Sequence, residues 1–497
     1  MKRFITTLIA VLVILTNYAQ QHPKREFRGT WIHTVSNRDY QKMTTQEMKQ
    51  HYINLLDSFE IAGVNAIIFQ ARPTADAFYV SEYEPWSRYL TGEQGKAPDP
   101  FWDPLEFMIE ECHNRAMEFH AWFNPYRVTH NDTEELCKDH LYYKKPYLFL
   151  KYGKQIYFDP GHPESREFTL KVIADVVRRY DVDAIHFDDY FYPYKIRYEE
   201  FPDEESFINY HKIDGFGRFQ KNDWRRNNVN ILVRDLNKTI KSIKPWVKFG
   251  ISPFGIWRNI DMDSTASKTQ GGVTNYDDLY ADIKLWVEKE WIDYNVPQLY
   301  WEIGHPRAEY ATLSDWWSEN NFGRQLYIGQ NLWVSVKAPD GKSQLHTKMK
   351  MVRENPNIHG NVWWSGYGMV RNPDGFVDSM RMEYQKYPSL VPVFEHIDST
   401  PPKPVIKLSG KNTSKGKQLT WEATPAKEEM DKAAYFCIYR FEQNEQINLD
   451  DAAKLQKIVR KPVYIIPKSN DNKKYKYVVT ALDRLYNESK ASKTVTL

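Results

Sequence analysis

Cysteine is scarce in this chain: there are three in 497 residues, Cys112, Cys137 and Cys437. The number is odd and the spacing marks no disulfide framework. Cys-x-x-Cys, His-Glu-x-x-His, a Walker loop and Gly-x-Ser-x-Gly are all missing, which removes the thiol-redox, zincin, P-loop and serine-hydrolase readings. An excess of charge is missing too, with 67 Lys and Arg against 65 Asp and Glu. Without a basic patch there is no nucleic-acid footprint. After the N-terminus no apolar run approaches the roughly 20 residues of a membrane helix, so no membrane span is expected. A Gly-rich first βα turn is also absent, because Gly29 alone does not make one. That argues against a doubly wound open sheet.

The N-terminus is where the apolar residues concentrate. Met1-Lys2-Arg3 is a charged start, Phe4 to Leu15 an apolar run, and Asn17-Tyr18-Ala19 a cleavage site. Residues 1–19 read as a signal peptide, so the mature protein is expected in the periplasm or outside the cell. No cysteine lies near the cleavage point, and a lipid anchor of the bacterial lipoprotein type is not signalled.

Aromatic residues are plentiful at 15%, including 16 Trp and 33 Tyr. Eight strand-like runs follow, each leading into a helix-like stretch: 27–35, 64–73, 118–128, 182–194, 248–259, 291–304, 324–334 and 358–369. Alternation of this kind implies a parallel sheet with βαβ crossovers, and eight units close a (β/α)8 TIM barrel, here over residues 25–395. Helix starts are written in the sequence as well. Thr44 to Glu47 is a capping box, Asp103-Pro104-Leu105-Glu106 joins an N-cap to a first-turn proline, and Pro163-Glu164 does the same before a third helix.

The active site of such a barrel lies at the C-terminal ends of its strands. The fourth run, Val182 to Tyr194, ends in two adjacent acids. Period-two alternation puts Ala184, His186 and Asp188 on one face and Ile185, Phe187 and Asp189 on the other. A carboxylate facing inward is costly unless it is paired or used. Asp188 is therefore the first catalytic candidate. Glu302 is its expected partner, because it shares a face with Gln298 and Tyr300, and Asp189 is the substitute. Gln70, Arg72, Asn124, Tyr126, Arg127, His186, Tyr190, Trp257, Arg258, Gln298, Tyr300 and Trp363 are expected to line a substrate pocket. Indoles and phenols stack on the apolar faces of sugar rings, while amides and acids meet their hydroxyls. The long loop Ala75–Pro100 adds Phe78, Tyr79, Tyr83, Trp86 and Tyr89, either to that pocket or as packing on the barrel rim. Two adjacent acids without a third ligand make a weak metal site, so neither metal nor cofactor is expected.

The texture changes near residue 400. Residues 396–404 are a proline-rich linker, and 405–497 show short alternating segments divided by polar turns, the pattern of a small all-β sandwich. Trp421 and the run Tyr475 to Asp483 resemble a fibronectin type III domain.

Phe27 to Trp31, Phe187 to Pro193, Gly250 to Arg258 and Pro297 to Trp301, in that order, resemble the motifs of the glycosyl hydrolase-like 10 family. The resemblance covers about residues 25–395. It implies a TIM-barrel glycoside hydrolase, and some members are similar to enzymes that cut peptidoglycan glycan strands stripped of their peptides. Asp188 and Asp189 match positions where related barrel hydrolases keep a catalytic carboxylate. The expected function is an exported glycoside hydrolase acting on a cell-wall or other polysaccharide. The alternative is a non-catalytic glycan-binding barrel, against which retention of both acids speaks. No motif fixes the linkage cut or the oligomeric state.

Overall fold

The structure is a computed structural model that describes residues 22–339, 341–414, 416–467 and 473–497. The signal peptide expected over residues 1–19 lies outside them. Eight parallel strands carry the first domain: β1 (Phe27–Ile32), β2 (Ala66–Arg72), β3 (Glu118–Phe123), β4 (Ala184–Phe187), β5 (Lys248–Ile251), β6 (Tyr294–Asn295), β7 in two segments (Gln325–Leu326 and Ile328–Asn331) and β8 (Gly360–Trp364). They pair in chain order. β8 returns to β1, and the two segments of β7 bond β6 on one side and β8 on the other. The sheet thus closes as a (β/α)8 barrel.

Alternation decides what faces the axis. Phe27, Trp31, Ala66, Ile68, Trp122, Ala184, Tyr294, Tyr327 and Val362 form the inner cluster. Their neighbours Ile67, Phe69, Phe119, Phe123, Ile185, Phe187, Phe249 and Ile251 pack outward against the helices. Apart from the partly buried Gln325, Asn331 and Trp364, the strands are buried on both faces, as a parallel barrel requires. The helix signals behave as written. In α1 (Thr45–Ala62), Thr44 and Glu47 complete the capping box. In α2 (Pro104–Asn114), the Asp103 side chain accepts from the backbone of Leu105 and Glu106. α3 begins earlier than its apolar face suggests, at Pro163, and runs to Arg179 with His162 as its cap.

The C-terminal domain pairs two antiparallel sheets, of three and four strands, around Trp421, Phe436, Ile438 and Val479. The Trp421 ring meets Phe436 edge-on at 5.4 Å. This is a small β-sandwich consistent with a fibronectin type III-like domain. It sits under the base of the barrel, where Tyr486 donates to the Ala116 carbonyl at 3.2 Å.

Candidate active site

At the C-terminal mouth of the barrel, Trp31, Trp122, Asp188, Asp189, Tyr190, Tyr194, Ser252, Gln298, Tyr300 and Trp364 enclose a cavity of about 240 Å3. That leaves room for one sugar ring. Larger hollows, of about 780 and 1210 Å3, lie at the barrel base and beside α2. Neither contains the acid pair.

Asp188 and Asp189 follow the last residue of β4, and both are buried. Asn124 Nδ2 donates to Asp188 Oδ2 at 2.5 Å, and the Tyr190 backbone N–H reaches Oδ1 at 3.3 Å. The orientation of Asn124 is itself fixed. Its Oδ1 accepts from Gln70 Nε2 and from an Arg127 Nη, each at 2.7 Å. Gln70 is held in turn by the backbone N–H groups of Thr34 and Val35, both at 2.9 Å. Asp189 accepts from the Tyr194 hydroxyl and from Gln298 Nε2, the latter at 3.2 Å. The Arg127 guanidinium lies 5.0 Å from the centre of the Tyr190 ring.

Burial, and then the charge of Asp189, push the Asp188 carboxyl up to about 7, while Arg127 pulls it down. Burial also raises Asp189, against the hydrogen bonds of Tyr194 and Gln298. The charge of Asp189 makes Asp188 harder to ionise, so the pair gives up its protons in two separated steps. Asp189, with two side-chain donors, is the better placed of the two to carry a charge, and Asp188, raised to about 7, the better placed to carry a proton. Trp122 adds a donor, because its ring borders the cavity while its buried Nε1 has no hydrogen-bond partner among the described residues. Burial drives His186 well below the usual histidine range, so it is neutral.

The structure gathers Asp188, Asp189, Tyr190, Gln298 and Tyr300 at the cavity, with Gln70, Asn124, Arg127 and His186 bonded behind or beneath it. Other expected residues go elsewhere, each for a local reason. Arg72 is diverted by an irregularity in the ladder: Gln70 pairs with inward Trp122, but Arg72 pairs with outward Phe123. It forms a buried ion pair with Glu84 outside the barrel. Tyr126 is buried outside the cavity in the barrel–helix layer. Trp257 stacks on Trp316 at 5.6 Å and donates to Asp282. Arg258 is clamped by both oxygens of Asp277 at 2.9 Å. Trp363 packs outward on Phe376, and Trp364 takes the inward place. Glu302 is not among the lining residues. Ladder pairing in this strand ends at Gln298, and the chain turns into a loop that puts the carboxylate near Lys348. Alternation carried past a strand's end has no force. The rings of Phe78, Tyr79 and Tyr89 are buried as packing beneath their loop.

Sequence reasoning left Trp31, Trp122 and Tyr194 off the site, and it noted Ser252 and Trp364 only as polar and aromatic strand ends. The signal for Ser252 was present, since it shares a face with Lys248 and Gly250. Trp31 likewise shares one with Phe27 and Gly29.

The glycosyl hydrolase-like 10 family model matches residues 26–344. Glycosyl hydrolase YngK of Bacillus subtilis (strain 168) is 44% identical over 507 aligned positions, covering 99% of this chain and 98% of that one. Glycosyl hydrolase DigH of Escherichia coli (strain K12) is 36% identical over 331, covering 62% of this chain and 74% of that one. Among solved structures, the PgaB (BpsB) glycoside hydrolase domain of Bordetella bronchiseptica aligns with a TM-score of 0.49 at 11% identity, over 72% of this chain and 99% of that chain. The chain belongs to the glycosyl hydrolase-like 10 family, and its activity is glycoside hydrolysis.

Proposed function

We propose that this is an exported enzyme that cuts glycosidic bonds within a bacterial cell-wall or other polysaccharide, with peptide-free peptidoglycan strands as the foremost substrate. Asp188 is the general acid. The carrying observation is a buried carboxyl raised to about 7, beside a second buried carboxyl, in a cavity walled by indoles and phenols. Glycoside hydrolysis needs an acid that protonates the leaving oxygen and a second carboxylate that either activates the attacking water or itself attacks the anomeric carbon before water releases the sugar. Asp189 takes the second role in place of Glu302. Trp31, Trp122, Trp364 and Tyr300 supply the sugar faces and Gln298 and Ser252 the polar contacts, while Asn124 orients Asp188 from behind. The signal-peptide reading of residues 1–19 supports export. Oligomeric state has no part in this reading, because the cavity is built from one chain.

The test is hydrolysis of a polysaccharide panel, including peptide-free peptidoglycan strands, with products read by mass. Asp188→Asn is expected to lose at least ~10²–10⁴-fold in rate while keeping its circular dichroism spectrum. Full turnover by this variant on a glycan the wild type cuts would remove Asp188 from the acid role.

A further inference from the structure

Beneath the acid pair, the barrel axis carries a continuous line of polar side chains. Inward positions of β3, β4, β5 and β6 supply it. At the base, Glu118 accepts from Lys248 Nζ and lies 2.8 Å from His120 Nε2. His120 Nδ1 is 2.8 Å from the Tyr294 hydroxyl, which is 2.9 Å from His186 Nδ1. His186 Nε2 is 2.9 Å from Ser252 Oγ, and Ser252 borders the cavity. All six side chains are buried. Gly250 makes the line possible, because a Cβ there would sit 1.9 Å from Tyr294 Cζ.

The protons along this line follow by elimination. A carboxylate only accepts, so the proton of His120 is on Nε2. Burial lowers both histidines and keeps them neutral. A neutral imidazole has one N–H, so His120 Nδ1 accepts, and the donor is Tyr294. The tyrosine's only proton is then committed, and its oxygen accepts from His186 Nδ1–H. That leaves His186 Nε2 bare, to accept the Ser252 proton. The upper end gives the same answer independently. The indole N–H of Trp31, which can only donate, points at His186 Nε2 from 3.4 Å. The opposite polarity would set N–H against N–H. The other acceptor near Ser252 Oγ, the Phe187 carbonyl, is 3.5 Å away.

We propose that Ser252 Oγ is an obligate hydrogen-bond acceptor in the glycan site, reading a hydroxyl or amide N–H of the bound sugar, with its polarity fixed from the barrel base. Glu118, His120, Tyr294 and His186 are then positioning residues. A serine hydroxyl ordinarily serves either partner. Here its proton is committed below, and only lone pairs face the cavity. A sugar bearing an ether or a bare carbonyl at that place leaves a buried acceptor unpaired, which discriminates more strongly than shape alone. The inference rests on reading the cavity as the glycan site.

The experiment has two arms. In the whole protein labelled with 15N-histidine, nitrogen shifts assign the tautomers, with signals identified by their loss in His186→Gln and His120→Gln. The expected spectrum has His186 protonated at Nδ1 and His120 at Nε2. The reverse at either residue overturns the proposal, whatever the substrate proves to be. In the second arm, peptide-free peptidoglycan strands are the probe. Ser252→Ala is expected to lower kcat/KM about 3- to 10-fold, mostly through KM, with recovery in Ser252→Thr. Tyr294→Phe is expected to lower it similarly and to release His186 into mixed tautomers. An unchanged kcat/KM in a folded Ser252→Ala overturns the acceptor role. Strands left uncut by the wild type would refute that substrate, and the tautomer arm would still decide the relay.

Discussion

Burial of the Asp188 carboxyl raises its proton affinity at the cost of stability. The folded state raises its carboxyl to about 7 through burial and the charge of Asp189. If Asp188 is the acid, kcat/KM falls as pH rises through about 7, because the proton to be donated is lost. Asp189→Asn removes a charge that raises Asp188, so whatever activity that variant keeps should show its alkaline limb at lower pH. A limb that stays in place would assign it to another group. The stability sign follows by linkage. A folded-state value above the unfolded one means that the neutral form is favoured in the native protein. That contribution is full below about pH 4 and is lost as pH rises toward 7. Asp188→Asn, neutral at every pH, is therefore expected to melt roughly 1–3 °C above the wild type at pH 8, with a smaller difference at pH 5. Calorimetry at the two values decides it, and a lower melting temperature at pH 8 would contradict the burial account.

At the scale of elements, the strands were legible where both period and boundary were marked. In β4 the face of His186 and Asp188 was read correctly from its contrast with Ile185 and Phe187, but Asp189, expected on the outer face, also borders the cavity because the strand ends at Phe187. α1 and α2 were read from their caps. β8 carries no such contrast: Trp363 and Trp364 are equally apolar, and a parallel strand buries both faces. Its phase was therefore invisible. Arg72 was misplaced by a ladder irregularity that no residue announces, and Glu302 by a strand whose ladder ends before it. Gly250 looks like a motif glycine in sequence, but its reason is spatial, since the Tyr294 ring occupies the volume of its missing Cβ. Gly250→Ala should force that ring aside and cost about 1–3 kcal/mol, as overpacking in a close-packed core does. Denaturant unfolding measures the loss. A neutral result would mean that Tyr294 has room to move and that the axis is less rigid than its distances indicate.

The whole molecule joins a barrel with its chemistry at the top to a sandwich fixed at the bottom. The joint is mainly apolar. Phe394, Tyr435, Cys437 and Tyr486 share one buried cluster with the barrel interior. The Tyr486 ring lies nearly parallel to Tyr435 at 5.6 Å, and Lys248 approaches the Phe394 ring at 5.1 Å. Ion pairs border this core, among them Arg460–Glu110 at 2.8 Å and Arg484–Asp181 at 3.1 Å. Their partners are partly solvent-exposed, and such pairs contribute about 0–1 kcal/mol. Truncating a large buried aromatic costs about 3–5 kcal/mol. If the aromatic seal couples the two domains, the wild type melts in one calorimetric transition. Tyr486→Ala should lower that transition by several degrees or divide it in two, whereas Arg460→Ala should leave it nearly in place. Because the base of the seal also carries Lys248 and Glu118, Tyr486→Ala should depress activity at temperatures where the barrel alone remains folded. A Tyr486→Ala protein with one unshifted transition would show that the two domains stand independently and that the sandwich contributes nothing to the barrel it covers.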